Sequence, residues 1–354
     1  VVTALCLFSG SLASRVAARL VERSPGVDKV ALFHFRSPFF EECDRLRELV
    51  KEEWPGVSFR TQSLKKDYRR LANIPAGYHF SLTRSCLSCR TLMLSRAIRY
   101  MERIKADFLV TGEILDKHGL SDVEMERITE DLGVGGLVLR PLSAQALPPS
   151  RPEIEGWVDR DSLFGLHEED REQLVELARE LGLDVEDRVD SPTRCKLAIS
   201  GFGERLENLF EEEGFTLNAV KLLEFGVYYK YPPDVKIVLA LDEKEKRALQ
   251  TFFLPQDLRV YIPTHQGPLA LVRTDWERKS PVQVEEIIAL AARITVTYSD
   301  AANMRSVPVK YRFEKENETS ILKILPFSSI AEIEQHCFAC DISSPLRENK
   351  VPLP

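Results

Sequence analysis

The sequence predicts an α/β protein: a doubly wound parallel sheet over residues 1–200, followed by a second, smaller α+β domain over 201–340. Three observations point there. Apolar runs of strand length alternate with helix-period segments through the first 140 residues. The first such run ends in small residues, Ser9-Gly10-Ser11, directly before a helical pattern. From Gly201 the alternation gives way to charged helices and short β-rich runs. At 354 residues, 44% hydrophobic and 29% charged, the chain is long for one core, so two domains are expected.

The elements follow in order. Ala4 to Phe8 reads as a buried strand, and Val16, Ala17, Leu20 and Val21 then recur at helical spacing. Their junction suits an anion, because unpaired N–H groups and the positive helix end point over the turn. Ser9, Gly10, Ser11 and Ser14 are its candidate residues. Asp28 to Phe35 is a second strand with His34 and Phe35 at its carboxyl end. A lone His there is more often a packed or hydrogen-bonded residue than a ligand. A helix is expected over 41–53, with Cys43, Leu46, Leu49 and Val50 inward, and a third strand over 57–61. In open parallel sheets, ligands sit at the carboxyl ends of the strands.

Residues 63–85 lack periodicity and contain Pro75 and Gly77, so a long loop is expected. It ends at Cys86-Leu87-Ser88-Cys89, immediately before a helix over 90–104. This spacing lets two thiolates address one metal; half a zinc site, a persulfide-forming pair and two ligands of an iron–sulfur cluster all fit it. The next strand, from Asp107, ends in Thr111-Gly112-Glu113, at the same sheet edge as the opening turn. A polar helix over 121–132, a fifth strand over 136–139, a Pro- and Gly-rich connector over 145–165 and a helix over 168–181 lead to Cys195.

Charge is unevenly spread. The chain carries a formal −7, yet residues 60–105 hold eleven basic side chains against Asp67 and Glu102. Lys65, Lys66, Arg69, Arg70, Arg84 and Arg90, interleaved with Tyr68, Tyr78, His79 and Phe80, have the make-up of a surface for RNA. A solvated helix face with a positive loop has the same composition. No apolar run approaches the roughly 18–20 residues that span a bilayer, so no membrane partner is expected. The first residues lack the pattern of a secretory leader, and seven cysteines with a CxxC pair suit a reducing compartment. The expected location is cytoplasmic.

The second domain is expected to open with a helix from Phe202 and to contain strands at 227–229, 235–240, 258–263 and 267–273. Charged and apolar helices start near Glu243 and Val284, residues 307–311 form the last strand, and 341–354 form a disordered tail. Cys337 and Cys340, close to the terminus, read as incidental cysteines.

Ser9-Gly10-Ser11-Leu12-Ala13-Ser14 resembles the PP-loop, Ser-Gly-Gly-x-Asp-Ser, of ATP pyrophosphatases, which have an HUP-like sheet. The Cys86/Cys89 pair, the segments 106–113 and 139–144, Pro148-Pro149, Glu153 and Gly156-Trp157-Val158-Asp159-Arg160 extend the resemblance over residues 1–200. Together they resemble a thiouridylase-like family related to bacterial tRNA thiouridylases. The resemblance implies ATP-dependent tRNA thiolation, in which ATP is split between its α and β phosphates to adenylate a uridine and sulfur then displaces AMP. It implies ATP and Mg²⁺, with Ser9, Gly10, Ser11, Ser14, His34, Phe35, Thr111, Gly112 and Glu113 around the nucleotide. It further implies tRNA and a sulfur donor as partners, and a [4Fe–4S] cluster on Cys86, Cys89 and Cys195. It assigns no catalytic residue, and the oligomeric state stays open.

The match has departures. Ser11 stands where the second glycine belongs and Ala13, which cannot ligate Mg²⁺, where the aspartate belongs. Thr193-Arg194 replace two glycines before the third cysteine. The second domain resembles the same family, but Ala240-Leu241-Asp242 replaces its Gly-Arg-Asn-like turn. The alternatives are a degenerate homologue that binds nucleotide or RNA without turnover, and a zinc-stabilised RNA-binding module.

Overall fold

The computed structural model describes residues 1–40, 46–64, 84–116, 121–185, 195–198, 201–210 and 216–339. It divides into two compact units, Val1–Ala198 and Ile199–Pro354. Of the loop expected over 63–85, residues 65–83 lie outside the described residues, as do Cys43, residues 191–194, the acidic run 211–213, Cys340 and the tail; Ser63 ends β3, and Arg84 and Ser85 begin α3.

The first unit alternates β1 (Thr3–Leu7), α1 (Leu12–Glu22), β2 (Lys29–Arg36), α2 (Leu46–Glu53), β3 (Ser58–Ser63), α3 (Arg84–Ile104), β4 (Phe108–Val110), α4 (Asp122–Asp131) and β5 (Val138–Leu139). Two more helices follow, α5 (Arg151–Ile154) and α6 (Arg171–Glu180). Among the described residues the strands form one parallel sheet in the order β3-β2-β1-β4-β5. After Thr3 the central strand is a continuous apolar run, Ala4 to Leu7, because both of its sides are covered. Leu32 joins the cluster that α1, α2 and α6 build on one face. Its neighbour Phe33 stacks on Tyr100 of α3, ring centroids 4.5 Å apart, on the other. This is a doubly wound α/β sheet.

Two expectations change here. The helix expected from Arg90 begins at Arg84, so Cys86 and Cys89 lie within α3 rather than ahead of it. No glycine or proline interrupts Arg84–Cys89, and the segment continues the helical run. The connector over 145–165 is tied down. A capping box at Ser150 starts α5, and Glu153 takes a 2.5 Å bond from Arg160, which also donates to the Leu147 carbonyl.

The second unit holds α7 (Phe202–Phe210), α8 (Leu217–Leu222), β6 (Val227–Tyr231), β7 (Val235–Ala240), α9 (Glu243–Gln250), β8 (Leu258–Tyr261) and β9 (Leu269–Arg273). It continues with α10 (Pro281–Thr297), β10 (Val307–Phe313), β11 (Ser320–Ile324), α11 (Ile330–Glu334) and β12 (Phe338–Ala339). Its described strands pair antiparallel in the order β11-β10-β8-β9-β7-β6-β12. Val260, Val272 and Val309 pack against Ile287, Ala291 and Ile294 of α10, and α9 rests on β7 and β9. Here β10 is not the last strand: β11 and β12 follow it. The helix expected to end near Arg293 runs to Thr297 and absorbs four β-branched residues, Ile294 to Thr297, of which Ile294, Thr295 and Val296 are buried. Among the described residues no helix is long and apolar enough to cross a membrane.

One ion pair locks α1 to α2. Arg15, 1% exposed, grips both carboxylate oxygens of Glu53, one through its Nε at 2.9 Å. Arg19 adds a 2.7 Å bond to the Glu53 carbonyl and lies over the Trp54 ring. Breaking such a buried pair strands a charge, so Glu53→Ala should lower unfolding stability by about 3 kcal/mol, while a paired Arg15→Met, Glu53→Leu replacement should restore most of it. Urea midpoints measure both, and a Glu53→Ala midpoint equal to that of the parent would remove the pair as a stabilising element.

Candidate functional site

The sheet order places a switch point between β1 and β4: from β1 the chain winds outward to β2 and β3 on one side, then crosses to β4 and β5. Ligands of open α/β sheets bind outside the carboxyl ends at such a point. Two turns meet there, Phe8–Ser11 after β1 and Thr111–Glu113 after β4.

The first turn feeds α1. Gly10 has φ +84°, a left-handed conformation that an L side chain adopts at a cost. Ser11 is the N-cap of α1, its hydroxyl facing the Ser14 N–H at 3.4 Å. Ser14 donates its hydroxyl to the Ser11 carbonyl at 2.9 Å, and Ser9 Oγ lies 3.0 Å from Ser11 Oγ and 3.2 Å from Ser14 Oγ. Three hydroxyls thus surround the first turn of a helix whose leading N–H groups have no intrahelical partner.

The second turn lies on the first, backbone to backbone. A Cβ on Gly112 would stand 2.7 Å from both Cα and N of Ser14 and 2.8 Å from the Ala13 carbonyl carbon. On either side of that contact, Thr111 and Glu113 are held by side-chain bonds. Glu113 accepts from Thr111 Oγ1 at 3.0 Å, from Arg90 of α3 at 2.8 Å and from Arg140 just after β5 at 2.9 Å. The Glu113 carbonyl also takes the Ser143 hydroxyl at 2.9 Å. Burial by itself would raise the Glu113 carboxyl; Arg140 and Arg90, with the hydrogen bonds from Arg140 and Thr111, outweigh it and hold the group below its ordinary value.

The other candidate residues divide. His34 Nδ1 sits 2.9 Å from the Phe8 carbonyl, which ties β2 to the start of the turn. Phe35 is buried against Phe33, ring centroids 4.7 Å apart, so its side chain serves packing. Arg90 engages Glu113 instead of projecting as a solvent-facing cation. Lys65, Lys66, Arg69 and Arg70 lie outside the described residues, and of Arg84 only the helical backbone is described. Arg60 and Arg103, from the same basic stretch, lie over the Tyr100 ring at 5.0 and 4.7 Å.

The cysteines come from two segments that meet. Cys86 and Cys89 are one turn apart on α3, and Cys89 is 2% exposed. Lys196–Ala198, the turn directly after Cys195, packs on α3 and is pinned by Lys196 N–H to the Phe39 carbonyl at 2.8 Å. Among the described residues no three His, Cys, Asp or Glu side chains gather as a metal site, and the Cys86 side chain is not among them. Sequence reasoning passed over Arg140, Ser143 and Lys196. Arg140 follows a strand that ends at the same edge, and that position was the available signal.

Two outcomes follow. Gly112→Ala should destabilise the protein by about 1–3 kcal/mol through overpacking, read from a denaturant midpoint, and an unchanged midpoint would contradict the contact. Glu113→Gln should cost roughly 2–4 kcal/mol at neutral pH. Because the folded carboxyl titrates below its ordinary value, its contribution is complete above that ordinary value and is lost as pH falls through the lower, folded one. Parent and variant stabilities should therefore converge in acid; a gap that persists there would show the charge plays no part.

A family model described as the NFACT protein RNA binding domain matches residues 226–336, from the start of β6 to the end of α11. The match lies wholly within the second unit, the region expected to hold a separate α+β domain. No curated protein sequence matches the chain. Among solved structures, the U34-tRNA thiolase NcsA from Methanococcus maripaludis with its [4Fe-4S] cluster aligns at 19% identity and a TM-score of 0.30, over 63% of this chain and 72% of that one. NMN synthetase from Francisella tularensis aligns at 14% identity and a TM-score of 0.28, over 60% and 88%. The C-terminal part of the fibronectin/fibrinogen-binding protein from Streptococcus suis aligns at 11% identity and a TM-score of 0.27, over 48% and 76%. TM-scores of this size leave the fold class resting on the strand order itself.

Proposed function

We propose that the chain binds ATP at the switch point of its parallel sheet and works on RNA, in the reaction class of tRNA thiolation. The observation that carries the reading is the junction of the two turns, where two strand ends and a helix N-terminus address one spot. The motif resemblance over residues 1–200 supplies the reaction class, and the RNA-binding domain match over 226–336 supports the ligand.

In this reading the N–H groups of the Gly10–Ser14 turn and the hydroxyls of Ser9, Ser11 and Ser14 take the pyrophosphate end of ATP, with Thr111 and Gly112 against the nucleotide. A uridine carbonyl oxygen attacks the α-phosphorus and pyrophosphate leaves. A sulfide-class donor then adds at the activated carbon and AMP departs with the oxygen. Glu113 acts as a positioning residue, since its carboxylate is engaged by Arg90 and Arg140.

The loop does not fit a Mg²⁺ ion in the manner the motif implies: Ala13 offers no ligand atom, and Glu113 is already engaged. Charge neutralisation at the pyrophosphate falls to main-chain N–H groups and the helix end. A [4Fe–4S] cluster fits the donor chemistry of the cysteines, because the Cys195 segment lies on the helix that carries Cys86 and Cys89. When bound, a cluster on three thiolates leaves one iron open to sulfur.

A second reading, nucleotide and RNA binding without turnover, is favoured by one observation. Ala13 is 5% exposed within the core cluster of the first unit, so the position has become part of the packing. ATP–pyrophosphate exchange with bulk tRNA, run beside calorimetric ATP binding, tests both. The expected result is ATP binding with slow exchange, raised by about two orders of magnitude in an Ala13→Asp, Ser11→Gly variant. ATP binding with no exchange in either form would select the second reading, and no ATP binding at all would end both.

A further inference from the structure

The sheet of the second unit has two sides of opposite character. Residues paired across strands share a side, so the registers sort them. Leu258 and Val260 of β8 pair with Phe313 and Tyr311 of β10 on the side packed against α10. Arg259 and Tyr261 pair with Arg312 and Lys310 on the other. There α9 covers β7 and β9, while Tyr261, Lys310 and Arg312 are partly exposed and Lys323 of β11 is exposed.

This open side carries an arrangement the fold itself does not call for. Arg259 and Arg312 stand directly opposite one another, where like charges repel. Glu314 offsets part of that repulsion, bonded to Arg259 and 3.8 Å from Arg312. Lys310 is opposite Tyr261, and Lys246 approaches from α9. Lys246, Arg259, Tyr261, His265 and Arg312 border an open cleft of about 630 Å³, and Lys310 flanks it beside Tyr261. Lys310 and Arg312 are two residues apart on one strand, about 7 Å along it. A row of cations beside an accessible phenol ring is the surface that neutralises a phosphate backbone and stacks a base.

We infer that this face binds unpaired RNA, with backbone phosphates along Lys246, Lys310 and Arg312 and a base stacked on Tyr261. The inference rests on the RNA reading above and deepens it, because the domain match names neither a face of the sheet nor a strand state. Unpaired RNA is favoured over duplex since bases already stacked in a helix cannot offer their planes to a ring. An acidic peptide would use the cations and leave the ring idle.

Fluorescence anisotropy of the full chain with a labelled short oligouridylate, and separately with a fully paired RNA hairpin stem, tests it. The oligouridylate should bind more tightly than the stem. Lys310→Gln with Arg312→Gln should weaken it at least tenfold and lower the slope of log affinity against log salt by about 1.4, the value for two lost single-strand phosphate contacts. Tyr261→Ala should weaken binding roughly fivefold or more, whereas Tyr261→Phe keeps the ring and should bind as the parent does. Thermal melts and the intact Tyr261→Phe protein separate lost contact from lost fold. Equal affinity for the stem, indifference to these variants, or polyglutamate competition without a Tyr261→Ala effect would each overturn the proposal. RNA binding that ignores this face leaves the general RNA reading standing, whereas no RNA binding by the parent ends both.

Discussion

The turn after β4 can lie on the first turn of α1 only because residue 112 has no side chain. A Cβ there would meet the Ser14 backbone at 2.7 Å. Everything at the carboxyl edge of the parallel sheet inherits its position from that contact. Thr111 and Glu113 flank it, and Glu113 extends the constraint outward by holding Arg90 on α3 and Arg140 beyond β5. Three separate parts of the chain thus converge on one carboxylate, which remains ionised because the arginines outweigh the cost of burying it. The edge is thereby one connected body, in which the turn after β4, α3 and the segment after β5 hold one another.

The two departures in the opening loop acquire physical meaning in this setting. Ser11 is the N-cap of α1, a role glycine fills less well, so the residue contributes to helix stability at the point where backbone would approach a phosphate. Ala13 packs into the core, where an aspartate would bring a carboxylate. Both changes favour a well-anchored helix over a reactive loop. The Arg15–Glu53 pair, one turn further along, secures the same helix to α2.

The second unit separates its tasks by sheet face. Period-two alternation sends Val260, Val309 and Tyr311 inward and Arg259, Lys310 and Arg312 outward, so one strand pair serves the core and a charged surface together. The acidic total of the chain, −7, hides this surface, since the charge that matters is concentrated on a few neighbouring strand positions.

By itself the sequence determined the order and type of most elements, because burial on both sides of β1 and β2 demands continuous apolar runs and the α1 face demands Val16, Ala17 and Val21 at helical spacing. It also singled out Gly112 and Glu113 as residues at a shared edge. It did not reveal that Arg90 belongs to Glu113, that Cys86 and Cys89 lie inside a helix, or that Lys310 and Arg259 share a face. Those facts depend on which segments become neighbours. Arg90 and Glu113 are separated by 23 positions, and Arg259 and Glu314 by 55. Local propensity carries no information about such pairs; strand order and register decide them, and both are set only when the sheet closes around its core.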